Sequence, residues 1–107
     1  MGYPITHGRI KPRLAKQPRH LDRVAAMGCL VCGGPAEVHH ERTGHRARDD
    51  SYVVPLCPLH HRDGAVGFHG LGSASAFRDM HDICLPTVAE WLRDESIAMG
   101  IIRNGHD

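Results

Sequence analysis

The residues best suited to chemistry lie between Cys29 and Gly70. Three of the four cysteines (Cys29, Cys32, Cys57) and six of the ten histidines (His39, His40, His45, His60, His61, His69) fall in this stretch. Thiolates and imidazoles ligate transition metals, and imidazole also exchanges protons near neutral pH. Cys29-Leu-Val-Cys32 is followed by Gly33-Gly34-Pro35, a turn that lets both sulfurs face one ion. Cys57-Pro-Leu-His60 repeats the two-residue gap 25 positions after Cys32. Together Cys29, Cys32, Cys57 and His60 make a closed set of three thiolates and one imidazole, the donor set of a structural zinc site. A redox reading of Cys29 and Cys32 needs a thioredoxin-like strand and helix around them. It also leaves the histidines unexplained. Buried cysteines without a metal are the blander alternative.

With zinc taking that set, His39, His40, His61 and His69 are left over. Neighbours on a plain strand point to opposite faces, so His39 and His40 share a site only if the strand ends or bulges there. His61 follows His60 directly and is turned about 100° from it on a helix. His60 can then face the knuckle while His61 faces the hairpin. His69 returns from a glycine-flanked segment, Gly67-Phe68-His69-Gly70. This arrangement allows a second metal on two or three imidazoles, with open positions for water and substrate. A spare histidine is then the general base. Which residue fills which role stays open at this point.

The elements that must position these residues are read from breakers and periodicity. Residues 1–17 are basic, with Pro and Gly breakers, and read as an arm in which Arg9, Lys11, Arg13 and Lys16 can meet phosphates. Residues 18–27 fit a helix opened by Pro18, with Leu21, Val24 and Ala25 on one face, and closed by Gly28. Residues 36–40 and 51–56 read as the strands of a hairpin, joined by a polar ten-residue loop, 41–50. A short helix opens at Pro58 and stops at Gly64 and Gly67. Residues 73–82 form a helix capped by Ser73, with Phe77, Met80 and Cys84 on one face. A last helix spans 86–97, with the stripe Leu85, Val88, Ala89 and Leu92. Cys84 is expected as a packed thiol and Trp91 as core, with His81 and His106 exposed. The fold class expected is α+β: one domain over 18–97, its core at 29–70 and its C-terminal helices at 73–97, followed by a tail at 98–107.

At 107 residues the chain can bury only a small core, for which a metal staple is a useful support. The net charge of +1 conceals an asymmetry: residues 1–48 carry nine Lys and Arg against three Asp and Glu, and the remainder carries four against nine. A basic front half suits a polyanion, although the pI of about 7.8 is low for a dedicated nucleic-acid module. No positively charged start leads into a long apolar run, so neither a signal peptide nor a membrane span is expected. A reducing cytoplasm, in a bacterial or phage-infected cell, is the expected location, where clustered cysteines bind metal more often than they pair.

His39-His40 on a hairpin, followed by Val54-Pro55-Leu56-Cys57-Pro58-Leu59-His60-His61, resembles the HNH nucleases with a ββα-metal (His-Me finger) core. Within these nucleases the closer resemblance is to the phage and bacterial group around the recombination enhancement function nuclease, which pairs an HH motif with a PLCxxCH-type segment and a later FHG. The resemblance covers about residues 25–95. It implies a zinc-stapled ββα core and a metal-dependent DNA endonuclease of low sequence specificity, acting on single- or double-stranded DNA in recombination or processing. It implies His39 and His61 as ligands of the catalytic ion, His40 as general base, and His69 as the residue that closes the site. The ion expected there is Mg²⁺ or Mn²⁺. Arg62 then suits a phosphate clamp, and Arg42, Arg46 and Arg48, with His45, suit the DNA backbone. Two departures stand out. His60 occupies a position where many relatives have a fourth cysteine. No Asn lies between the strands to orient the base, a role that falls to Asp49 or Asp50. The competing reading is a non-catalytic zinc-finger-like module that binds nucleic acid.

Overall fold

A computed structural model describes residues 15–42 and 47–102. Most of the basic arm, including Arg9, Lys11 and Arg13, lies outside the described residues, as do His45, Arg46 and tail residues 103–107 with His106. Helix α1 (Pro18–Ala26) leads to strands β1 (Glu37–His40) and β2 (Val53–Leu56). A five-residue π-helical turn (Leu59–Asp63) and helices α2 (Phe68–Leu71), α3 (Ala74–His81) and α4 (Leu85–Ala98) follow. The chain is thus a small α+β protein with a two-stranded antiparallel sheet.

Strand β2 is the centre of the packing. All four of its residues are buried, because helices cover it rather than solvent. Glu37 pairs with Leu56, His39 with Val54 and His40 with Val53. Pro55 has no N–H to give the ladder, which places it at an edge. Its carbonyl accepts instead from Leu30 N at 3.0 Å and so ties the segment after Cys29 to the sheet. Val54, Leu56, Cys29, Cys57, Phe77, Leu85 and Ala89 form one cluster, with Phe68, Leu71 and Val88 packed against it. Fully burying side chains of this kind contributes about 1.5–3 kcal/mol each. Cys29 and Cys57 are therefore part of the hydrophobic core, while Cys32 is exposed.

Three expectations are corrected here. Trp91 is 64 % exposed. It lies two residues from buried Ala89, about 200° around α4, and so faces outward. Cys84 is exposed because α3 ends at Asp82, whose φ of 59° resets the phase before α4 begins. The apolar stripe read through Phe77, Met80 and Cys84 therefore breaks, and only Phe77 is buried. His81 is half-buried rather than exposed: its Nε2–H donates to the Val66 carbonyl at 2.7 Å, and its ring lies on Phe77.

Helix α1 buries His20 along with Val24. His20 Nδ1 lies 2.8 Å from Ser96 Oγ on α4, and Arg23 donates to the same hydroxyl at 2.7 Å. Burial and then the neighbouring Arg23 hold the His20 pKa below its ordinary 6.5. The native state therefore binds fewer protons at His20 than the unfolded chain does. Its stabilisation is complete above pH 6.5 and is lost as pH falls toward the depressed native value, with a limiting slope of about 1.4 kcal/mol per unit. Urea melts from pH 7.5 to 5.5 should show this loss, and His20→Gln should flatten it. An unchanged slope would exclude His20 as its source.

Candidate metal centres and cleft

The first centre is built by two turns that meet at the end of the sheet. Cys29 N donates to Gly34 O and Gly33 N to Cys29 O, each at 2.8 Å, which closes the knuckle on itself. Gly28 enters the knuckle at φ +85°, and a Cβ there would stand 3.0 Å from Gly33 O. On the other side, His60 N and His61 N both donate to Cys57 O, at 3.0 and 2.8 Å, and start the π turn.

The ligand atoms converge. Cys57 Sγ lies 3.2 Å from His60 Nδ1, Cys29 Sγ 3.7 Å from the same nitrogen, and Cys32 Sγ 3.7 Å from Cys57 Sγ. Ligands of a tetrahedral zinc, bonded at about 2.0–2.3 Å, stand about 3.3–3.8 Å apart. A disulfide needs about 2.05 Å between sulfurs, so these thiols are spaced for an ion and not for each other. Burial works to raise the Cys29 pKa, but backbone N–H groups of Cys57, Cys32 and Val31 outweigh it and bring it down to about 6. At Cys32 the Gly34 N–H acts to lower the pKa, yet the neighbouring thiols of Cys57 and Cys29 raise it. A divalent ion offsets most of that mutual opposition and favours the deprotonated thiolates. Cys29, Cys32, Cys57 and His60 are placed to hold a metal ion, compatible with structural zinc.

The second cluster lies on the other side of the π turn. One ligand nitrogen each of His39, His61 and His69 falls within 4.8 Å of the others. Three elements supply them: His39 from β1, His61 from the π turn and His69 from α2. The glycine-flanked segment that carries His69 is a single helical turn, α2. It approaches the π turn so closely that a Cβ on Gly67 would sit 2.6 Å from Leu59 O. The His39 and His61 rings are 5.0 Å apart, His61 and His69 also 5.0 Å, and Phe68 covers His39 at 4.3 Å. His39 is only 5 % exposed, and its Nε2 has no hydrogen-bond partner. Glu41 Oε2 stands 3.7 Å from that nitrogen, and the three imidazoles together are placed to hold a cation. Burial depresses the His61 pKa against the opposing pull of Glu37, so this imidazole stays neutral, the form that binds metal.

His40 stands beside this cluster. Strand β1 ends at His40, which resolves the strand problem, and both His39 and His40 line one cleft of about 760 Å³. His40 Nε2–H donates to Asp50 Oδ1 at 2.9 Å. Asp50 Oδ2 in turn accepts from Gln17 N, at the start of α1, at 3.2 Å. Burial works against the Asp50 charge, but the bonds from His40 and Gln17 prevail and hold its carboxyl below the usual range. Asp50 is thus a charged acceptor that keeps the His40 proton on Nε2 and leaves Nδ1 as the basic nitrogen. Asp49 is used differently: its Oδ1 accepts from Ser51 N and Ser51 Oγ in the turn before β2.

Comparison with protein-family models, curated proteins and solved structures returned no match.

Among the arginines, Arg42 and Arg48 line the cleft beside His40, together with Ser73, Ala74 and Ser75 at the start of α3. Arg62 is not among the lining residues. Its Nε and Nη2 donate to Glu37 at 2.8 and 3.2 Å, and its Nη1 donates to Asp63 at 3.3 Å. The guanidinium read from the sequence as a phosphate clamp is thus engaged by Glu37 and Asp63. Residues missed from the sequence include Glu37, whose Oε2 accepts from His61 Nδ1–H at 2.6 Å, and Glu41, whose Oε2 lies 3.7 Å from His39 Nε2. Glu37 and Glu41 flank the His39-His40 pair in sequence, and a carboxylate bonded to the imidazole of a metal ligand, as Glu37 is to His61, is a recurrent device of metal sites. That proximity was the available signal. His81, whose ring stands 5.6 Å from His60, carried none.

Proposed function

We propose that the chain is a metal-dependent DNA endonuclease of the HNH type, in which β1, β2 and the π turn form a ββα-metal core. The observation that carries this reading is the second cluster. A zinc module needs four ligands, yet three further imidazoles converge in a cleft that also holds a histidine paired with a carboxylate. His39, His61 and His69 would hold the catalytic ion, and Cys29, Cys32, Cys57 and His60 the structural zinc.

A divalent ion held there would supply Lewis acidity toward a phosphodiester oxygen and offset the charge developing on the leaving group. His40 Nδ1 takes the proton from the attacking water, and Asp50 steadies the imidazolium that results. Arg42 and Arg48 offer positive charge along the cleft for the DNA backbone. Phe68 and the buried His39 exclude solvent from one side of the site. An all-imidazole donor set suits Zn²⁺, Co²⁺ or Ni²⁺, tolerates Mn²⁺ and suits Mg²⁺ least, because Mg²⁺ prefers oxygen ligands. Of the two ions expected from the sequence, manganese is the better fit.

The test is cleavage of supercoiled plasmid and of single-stranded DNA by protein stripped of weakly held ions. Activity is expected to be absent in chelator and restored by Mn²⁺, Co²⁺ or Ni²⁺. DNA binding without cleavage under every ion would support the non-catalytic zinc module instead.

A further inference from the structure

We infer that Glu37 is a positioning residue for the imidazole metal site, and that Arg62 serves the site from behind Glu37 rather than by contact with DNA. This rests on the reading of His39, His61 and His69 as a metal site. Glu37 opens β1, two residues before His39, and its carboxylate reaches across to the π turn. There it receives three hydrogen bonds on two oxygens: His61 Nδ1–H at 2.6 Å and Arg62 Nε at 2.8 Å on Oε2, and Arg62 Nη2 at 3.2 Å on Oε1.

This geometry has two consequences for metal binding. The proton of neutral His61 is fixed on Nδ1, because a carboxylate can only accept. Nε2 is then the unprotonated nitrogen and the atom left for the ion. The ring is also held against rotation. A carboxylate gripped by one donor can swing, whereas the planar fork of Arg62 meets both oxygens of Glu37 and fixes its plane. Arg62 and Glu37 thus lock His61 in the tautomer and direction that face His39 and His69.

The alternative is an ordinary surface ion pair. Metal binding separates the two, since a surface pair has no reason to alter it. Co²⁺ can be titrated into chains whose Cys₃His site already holds zinc, while the visible absorption of the added ion is followed and zinc content is checked. Glu37→Ala is expected to weaken the Co²⁺ site about 10- to 100-fold and to change its spectrum, with zinc retained. Glu37→Gln, whose amide oxygen can still accept the His61 proton, should recover part of that loss. Arg62→Ala should weaken Co²⁺ less than Glu37→Ala and add little to it in the double variant, because it acts through the same carboxylate. Unaltered Co²⁺ affinity and spectrum in both Glu37 variants would overturn the inference while leaving the imidazole site intact. A wild-type chain that takes up no Co²⁺ beyond the zinc site would overturn both.

Discussion

Replacing His40 by alanine is expected to abolish plasmid nicking while zinc content and folding persist. General-base catalysis contributes about 10²- to 10⁴-fold, so the residual rate should fall close to the assay background. The prediction separates chemistry from architecture, because His40 lies outside both ligand clusters. His40 is hydrogen-bonded to Asp50, which keeps its second bond, to Gln17 N, when the imidazole is removed. Circular dichroism and metal analysis of the variant should therefore match the wild type. Cleavage at an unchanged rate would remove His40 as the base.

Cys29→Ser should do the reverse, destroying the fold and the activity with it. Cys29 is buried in the hydrophobic cluster, its pKa is brought down to about 6, and its backbone closes the knuckle through Gly33 and Gly34. Structural zinc contributes an apparent 10–16 kcal/mol or so at neutral pH, as large as the whole stability of a typical domain, about 5–15 kcal/mol. Loss of one thiolate should release the ion and with it cooperative unfolding at ambient temperature. Cys84→Ser is the control. Cys84 is exposed, with Thr87 Oγ1 as its neighbour at 3.2 Å, and its loss should leave metal content unchanged. A fully loaded, folded Cys29→Ser protein would refute the knuckle assignment.

Much of this arrangement could be read from residue type and spacing. Two cysteine-bearing half-pairs with equal gaps mark out one four-residue group placed for an ion, and adjacent His60 and His61 mark two directions from one helical turn. Breakers placed the elements well: Pro18, Gly28, Ser73 and Pro86 mark ends that the structure keeps to within a residue or two. What could not be read was whatever depends on which side chain meets which across the fold. Glu37 and Arg62 lie 25 positions apart, and nothing local says that their charges meet over His61. The choice between Asp49 and Asp50 depended on the turn before β2, where one carboxylate is consumed by Ser51. Trp91 was misplaced because a large aromatic invites a core reading, whereas its angle on α4 decides otherwise. His20 escaped notice because a buried imidazole in a short helix needs the α4 hydroxyl of Ser96 to make sense.

The division of labour between a structural clamp and a reactive imidazole site is the central claim, and counting ions against cleavage tests it most directly. Chelator-treated protein, titrated with Mn²⁺ or Co²⁺ while bound metal and plasmid nicking are measured on the same samples, should hold one zinc that resists the chelator. It should gain one further ion per chain, with nicking rising in proportion to that second ion. Nicking that proceeds in full with the zinc alone, or a second ion bound without any cleavage, would contradict the account.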